Sequence, residues 1–248
     1  MDNEVHQLIA ELAAEVGTAG PEVEGLRRAA KVVAANDEPV RAMLRAIATD
    51  PRQAAAIAAD SYWHPNGFAK LVLHGHADPE FHLRLHVWPN GSPNRPMFEI
   101  ANIHNHRWPF ASVVLAGGLH VEYFEETREF DIDDPKVLPA TRYSYAQAPG
   151  APYGRLQMEG TVTLLAVGGN SYGWPERHSC EARELHLVTP FIDEFTATLL
   201  VQGETCNDSA LVYQPLGRKP LVLSTRPVTP DEVVELAGRT VDEMAKRD

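Results

Sequence analysis

The chain has 248 residues, of which 44% are hydrophobic and 23% charged, so it is long enough for one large globular domain with a sizeable core. Its net charge of −12 and its lack of clustered Lys and Arg argue against a nucleic-acid partner. No apolar run approaches the ~20 residues of a membrane span, and the first residues lack the basic and apolar regions of a signal peptide. Cys180 and Cys206 form neither a disulfide framework nor a CxxC site, which favours a reducing cytoplasm.

The first segment of the chain, residues 1–62, is predicted to be helical. Apolar residues recur at helical spacing over residues 5–16, and the stretch at 18–21, which contains Gly and Pro, ends that pattern. Two further short helices are predicted at 23–35 and 38–48. Another begins at Pro51, where proline suits the first helical turn. These helices are expected to pack on the domain that follows, or to form a dimer surface.

From about residue 66 the apolar residues recur with a period of two, which indicates strands. Over residues 81–88, one face carries Phe81, Leu83, Leu85 and Val87, and the other carries His82, Arg84, His86 and Trp88. Further strands are predicted at 98–106, 112–115, 119–124, 141–146, 162–167, 184–188 and 196–201. Many short strands separated by Gly, Pro and Asn turns indicate an antiparallel sandwich or barrel. This β domain is expected to span residues 63–226.

The tail, residues 227–248, is predicted to be one last helix. Thr229 and Glu232 have the spacing of a capping box, in which the side chain of each residue bonds the backbone N–H of the other. The apolar pattern that follows predicts a helix over residues 233–244.

Two histidines open the stretch IHNHRWPFASVVLAGGLHVEYF. On a strand, residues two apart point to the same side, so His104 and His106 project together and Asn105 points away. Two neutral imidazoles on one face can occupy neighbouring positions around a single metal ion. The alternative is that both are solvent-facing or hydrogen-bonded structural histidines.

This stretch resembles the first motif of the cupin superfamily, in which HxH, a short spacer and an apolar strand that ends in glycine follow one another. Phe110, Ala111 and Ser112 stand where many cupins carry a carboxylate, so the closer resemblance is to the three-histidine branch that includes the thiol (cysteine-type) dioxygenases. The resemblance covers about residues 66–203. It implies a mainly β fold: a cupin-type antiparallel β-barrel (jelly roll) with N-terminal helices and one C-terminal helix.

The resemblance also implies a ligand set of three histidines. His186, in the stretch RELHLVTP, is the expected third metal ligand beside His104 and His106, and His178 and Tyr153 are its rivals. The implied metal is Fe(II), with zinc, nickel and manganese as alternatives.

The same likeness implies that the row His82, Arg84, His86, Trp88 turns toward the metal, although alternation alone does not choose between the two faces. His86 would then be a fourth ligand or a proton donor. Lys70 or Arg84 would bind a substrate carboxylate, and Trp88 would form an apolar wall. The sequence differs from the thiol dioxygenases at three positions. Where those enzymes carry a Ser-His-Tyr relay, this chain has Thr198, Leu200 and Gln202.

The leading functional hypothesis is a mononuclear non-haem iron-dependent oxygenase or dioxygenase. Its partners would be O2 and a small polar metabolite that bears a carboxylate, an amine or a thiol. The missing relay implies chemistry different from the usual thiol oxidation. One alternative is a non-redox lyase, isomerase or decarboxylase with the same metal site, and His86 as its general acid or base. Another is a cupin that binds a metal or a ligand without catalysis.

Overall fold

The structure is a computed structural model that describes residues 3–17, 23–75, 81–89, 102–128, 131, 133–146, 155–218 and 225–247. Within these ranges the chain forms five helices and thirteen strands, and every strand pairing is antiparallel. The helices are α1 Asn3–Gly17, α2 Val23–Ala35, α3 Asp37–Thr49, α4 Pro51–Asp60 and α5 Pro230–Ala245.

The helix ends follow the capping signals in the sequence. The side chain of Asp50 accepts hydrogen bonds from the backbone N–H groups of Arg52 and Gln53, so that α4 begins at Pro51. At the start of α5, Thr229 and Glu232 form the predicted capping box in both directions. The predicted helices are therefore confirmed, to within a few residues at their ends.

The first sheet contains seven strands in the order β13-β1-β2-β3-β11-β5-β9. Leu83, Leu85 and Val87 of β3 are fully buried in one apolar cluster with residues of all five helices, so the helices cover this face of the sheet. His82, Arg84 and His86 alternate with them and therefore point to the opposite face, toward the second sheet. The strands are β1 Tyr62–Trp63, β2 Ala69–His74, β3 His82–Trp88, β5 Phe110–Ala116, β9 Arg177–Cys180, β11 Thr196–Gln202 and β13 Arg226–Pro227.

The second sheet pairs in the order β10-β4-β12-β7-β8-β6, and β6 pairs again with β10, so each of its strands has two neighbours. The β10–β4 pairing consists of one residue pair, His186 opposite His104. Of the predicted strand 98–106, residues 98–101 lie outside the described residues, and the rest yields only the two-residue strand β4. The strands are β4 Ile103–His104, β6 Gly118–Thr127, β7 Val137–Ala146, β8 Arg155–Gly173, β10 Leu185–Pro190 and β12 Ala210–Pro215.

Two further features bear on the sequence-based expectations. Both cysteines are free thiols, with Cys180 buried and Cys206 exposed. None of the helices in the described ranges has the length and apolarity needed to cross a membrane.

Candidate metal centre

The strand pairing brings together three histidines that are far apart in the sequence. His104 on β4 lies directly opposite His186 on β10, and directly opposite residues of an antiparallel pair share a face of the sheet. His106 follows two residues after His104, and its backbone N–H bonds the carbonyl of Ala182 at 3.0 Å. The side chains of His104, His106 and His186 therefore converge from two neighbouring segments. No other group of three such metal-binding side chains occurs among the described residues.

The distances between the rings fit a single metal ion. The nearest ligand nitrogens of the three histidines all lie within 4.8 Å of one another, and the Nε2 atoms of His106 and His186 are 3.3 Å apart. A metal bound at about 2.0–2.1 Å from each nitrogen separates neighbouring ligand atoms by about 3.4 Å in tetrahedral and about 2.9 Å in octahedral geometry. The observed 3.3 Å lies within this interval, so the cluster can hold a divalent metal ion.

Backbone carbonyls orient two of the rings. The Nδ1 atom of His104 donates to the carbonyl oxygen of Asn102 at 2.8 Å, and Nδ1 of His186 donates to that of Glu184 at 3.2 Å. A carbonyl oxygen only accepts, so each Nδ1 carries the proton and each Nε2 keeps its lone pair for a cation. The Sγ atom of Cys180 also lies 3.2 Å from Nδ1 of His186, and therefore packs against the ring on the side away from the cluster. Contacts of this kind are typical of the residues that orient metal ligands.

The surroundings keep the three imidazoles neutral. Burial lowers the pKa of His104, and it lowers the pKa values of His106 and His186 well below their usual range. The other imidazoles of the cluster lower the pKa values of His106 and His186 further, because like charges would lie side by side. A metal therefore does not have to displace protons from these nitrogens near neutral pH.

The cluster opens onto a cavity of about 480 Å³ between the two sheets. Lys70 and Arg84 lie on its wall, and the Nε and Nη1 atoms of Arg84 are buried with no hydrogen-bond partner among the described residues. Burial lowers the pKa of Arg84 to about 10, so its guanidinium stays charged at neutral pH. Besides the amine of Lys70, the cavity is lined by the guanidinium groups of Arg84 and Arg107 and by one acid, Asp60. The cavity is therefore a cationic region in a protein whose net charge is −12.

His86 and Trp88 occupy different places relative to this cavity. His86 lines it, and its Nε2 atom is buried with no hydrogen-bond partner in the described part of the chain. Trp88 is buried but is not among the lining residues, and its ring lies 4.9 Å from that of Phe68. Phe68 also contacts the ring of His86 at 4.6 Å and that of His64 at 4.5 Å. Trp88 thus packs against Phe68, which lines the cavity, and does not line the cavity itself.

The two rivals for the third ligand position are not part of the cluster as described. His178 on β9 is buried, and burial lowers its pKa to about 4. Its ring is 5.5 Å from that of Phe110, which also contacts the rings of His106 at 5.2 Å, Trp108 at 5.9 Å and His186 at 6.0 Å. Phe110 therefore lies between His178 and the cluster. Tyr153 lies outside the described residues.

Several residues of this region were missed by the sequence-based reasoning. Trp108 stacks on the ring of His106 with centroids 4.4 Å apart. Its position two residues after HxH is the one sequence signal that could have indicated this contact. His64 and Tyr62 line the cavity from a segment that the sequence assigned to no strand. Cys180 had no recognisable pattern, since it lies six positions before His186 and the two meet only through the turn between β9 and β10.

Comparisons with known proteins do not assign the chain to a family. No protein-family model matches the chain, and no curated protein matches it either. Among solved structures, Drosophila melanogaster CENP-C bound to CAL1 aligns with 59% of this chain and 84% of that chain, at 10% identity and a TM-score of 0.30. A likeness at that TM-score supports no statement about fold or function, so the functional conclusion has to come from the site itself.

Proposed function

We propose that this protein is a cupin-type jelly-roll enzyme, a mononuclear non-haem iron(II)-dependent oxygenase that acts on a small anionic metabolite. The observation that carries the proposal is the convergence of His104, His106 and His186 on one point beside a cationic cavity. The mainly β fold with two antiparallel sheets and the three-histidine cluster fit the cupin-like site expected from the sequence.

The donor set favours a catalytic over a purely structural metal. Structural zinc sites usually have four protein ligands, whereas three imidazoles leave positions open for other ligands. When bound, a ferrous ion would supply those open positions and redox chemistry with O2. The carboxylate of the common 2-His-1-carboxylate set is absent from this cluster, so the site keeps a larger positive charge that favours an anionic substrate group.

The protein side chains around the cluster bind and orient the substrate. Arg84 has two N–H groups without a partner in the described ranges, and it would donate them to a carboxylate as charge-assisted hydrogen bonds. Its guanidinium lies 5.1 Å from the ring of Trp108, which itself stacks on His106, so the anion would be held close to the cluster. Phe68 and Trp108 give this part of the cavity apolar walls that exclude water.

His86 supports a second candidate function, a non-redox lyase, isomerase or decarboxylase at the same metal site. Burial lowers the pKa of His86 well below its usual range, and the neighbouring basic side chains of Lys70 and Arg84 lower it further. Its neutral ring, with a free Nε2 in the cavity, would accept or return a substrate proton as a general base or acid.

One experiment separates these functions. The protein is loaded with Fe(II) under anaerobic conditions and then supplied with a panel of small thiols, amines and carboxylates, with and without O2. Oxygen uptake coupled to product formation, lost in His104→Ala, is expected for the oxygenase. Product formed under nitrogen would support the non-redox enzyme. Tight retention of a compound without any product would support a binding protein and would contradict catalysis.

A further inference from the structure

The side chain of Lys70 has no place in the metal cluster and no acidic partner in the part of the chain that the structure describes. Lys70 lies on β2, directly between its cross-strand partners Tyr62 on β1 and His86 on β3. Its Nζ atom donates to the hydroxyl oxygen of Tyr62 at 3.1 Å. Within the described ranges no carboxylate lies at ion-pair distance from this amine. Among the described residues, the hydrogen-bond partner of this amine is therefore an uncharged phenol.

The groups that face Lys70 from the surrounding elements are neutral or positively charged. Asp60 also lines the cavity, but Arg84, and not Asp60, is the charged group that shifts the pKa of Lys70. Burial raises the pKa of Tyr62, so the phenol stays protonated. The titratable groups whose charges act on Lys70, or on which its charge acts, are Arg84, His64, His82, His86 and His106, together with Tyr62 through its hydrogen bond.

These surroundings disfavour an ammonium ion. Burial lowers the pKa of Lys70 well below its usual range, and the guanidinium of Arg84 lowers it further by repulsion. A cation–π contact with Trp108 would favour the charged form of Lys70. This contact is weak, because the ring centroid is 5.7 Å from Nζ, near the limit for such contacts, and the guanidinium of Arg84 lies over the same ring at 5.1 Å. A desolvated lysine beside a second cation is the arrangement that makes an amine nucleophilic in proteins.

We propose that Lys70 is a nucleophilic amine that forms a Schiff base with the carbonyl carbon of a ligand whose anionic group binds Arg84. The ligand class is a small aldehyde or ketone acid, such as a 2-oxo acid. Lys70 and Arg84 are diagonal neighbours on β2 and β3 and share the ring of Trp108, so one small molecule can contact both. The unpartnered N–H groups of Arg84 supply the anion site.

The reaction balances without an oxidant or reductant. The Nζ lone pair forms a C–N bond to the carbonyl carbon, and the carbonyl oxygen takes up a proton. A second proton converts that hydroxyl into water, which leaves as the C=N bond forms. The hydroxyl of Tyr62, 3.1 Å from Nζ, is placed to exchange these protons with the amine. This activity goes beyond the proposed function, since it uses no metal.

The test is reductive trapping on the intact protein at pH 7. The protein is incubated with glyoxylate and cyanoborohydride, and the alkylated lysines are mapped by mass spectrometry. The exposed Lys31, Lys136 and Lys246 serve as internal standards. Each unit by which a lysine pKa falls raises its neutral fraction at pH 7 about tenfold, so initial labelling at Lys70 is expected to exceed that of each standard by at least about tenfold. Labelling at Lys70 equal to or below the standards would overturn the proposal.

Two variants separate the parts of the proposal. Lys70→Met should remove the fast-labelled site and leave the standards unchanged. Arg84→Gln should lower the ratio of glyoxylate to acetaldehyde labelling at Lys70 to that of the exposed lysines, and an unchanged ratio would refute the anion site. Melting curves check that both variants fold. Metal binding is measured separately, so labelling without metal binding would contradict only the oxygenase, and metal binding without labelling only the Schiff base.

Discussion

Replacement of His186 by alanine should remove most of the stabilisation that a bound metal gives to the folded protein. His186 is almost fully buried, its Nε2 atom lies 3.3 Å from that of His106, and it is the one ligand that comes from outside the HxH segment. Loss of a residue that only orients a ligand weakens metal affinity by about 10–100-fold, so loss of a ligand itself should weaken it by at least about 100-fold.

The expected shift in melting temperature follows from mass action. At a free metal concentration of 100 Kd, the wild-type protein gains about 2.7 kcal/mol, which raises Tm by about 5–11 °C for a domain of this size. At the same concentration, a 100-fold weaker site gains only about 0.4 kcal/mol, or about 1–2 °C. The assay compares Tm with and without metal within each variant, so that any change in the stability of the metal-free protein cancels.

His178→Ala is the matched control for this prediction. His178 is also a buried histidine and lies on the adjacent segment β9, but Phe110 separates it from the cluster. Its variant should keep the full metal-dependent shift. A His186→Ala protein with an undiminished shift, or a His178→Ala protein that loses it, would refute the assignment of the third ligand.

Three further predictions concern residues that support the site and the fold. Cys180→Ala removes the sulfur that lies 3.2 Å from Nδ1 of His186, and competition with a chelator should give a metal affinity lower by about 10–100-fold; an unchanged affinity would mean that Glu184 alone orients the ring. Thr229→Ala removes one half of the α5 capping box and should lower the free energy of unfolding by about 1 kcal/mol, measured by urea denaturation, whereas Thr229→Ser should keep most of it. Hydrogen bonding to Arg226 lowers the pKa of Glu232 from 4.5 to about 2, so its contribution to stability is present above about pH 4.5 and is lost as the pH falls toward 2. Glu232→Gln should flatten that part of the stability–pH curve, and a curve identical to that of the wild type would contradict the role of this carboxylate.

Local signals predicted much of this structure correctly. Apolar residues at helical spacing and capping residues located the helices, since both signals depend on residues close together in the sequence. The alternation over residues 81–88 correctly separated Leu83, Leu85 and Val87 from His82, Arg84 and His86. Which of the two faces meets the cavity depends on where the helices pack, and strand periodicity carries no information on that.

Non-local pairing determined the parts that the sequence did not reveal. The strands β1, β9 and β12 were not predicted from the sequence, and they pair with neighbours β2, β5 and β7 that lie far from them or across a turn in the chain. His64, Tyr62 and Cys180 reach the cavity or the cluster only through such pairings. Among the candidates for the third ligand, His186 was favoured by the resemblance to the thiol dioxygenases. The spacing of histidines along the sequence could not show that His186 lies directly opposite His104.

The most direct measurement is anomalous diffraction, at the absorption edge identified by elemental analysis, from crystals of protein purified without added metal. One anomalous peak per chain is expected, about 2.0–2.1 Å from the Nε2 atoms of His104, His106 and His186. Crystals that contain stoichiometric metal at another place, or metal-replete crystals without a peak between these three rings, would contradict it.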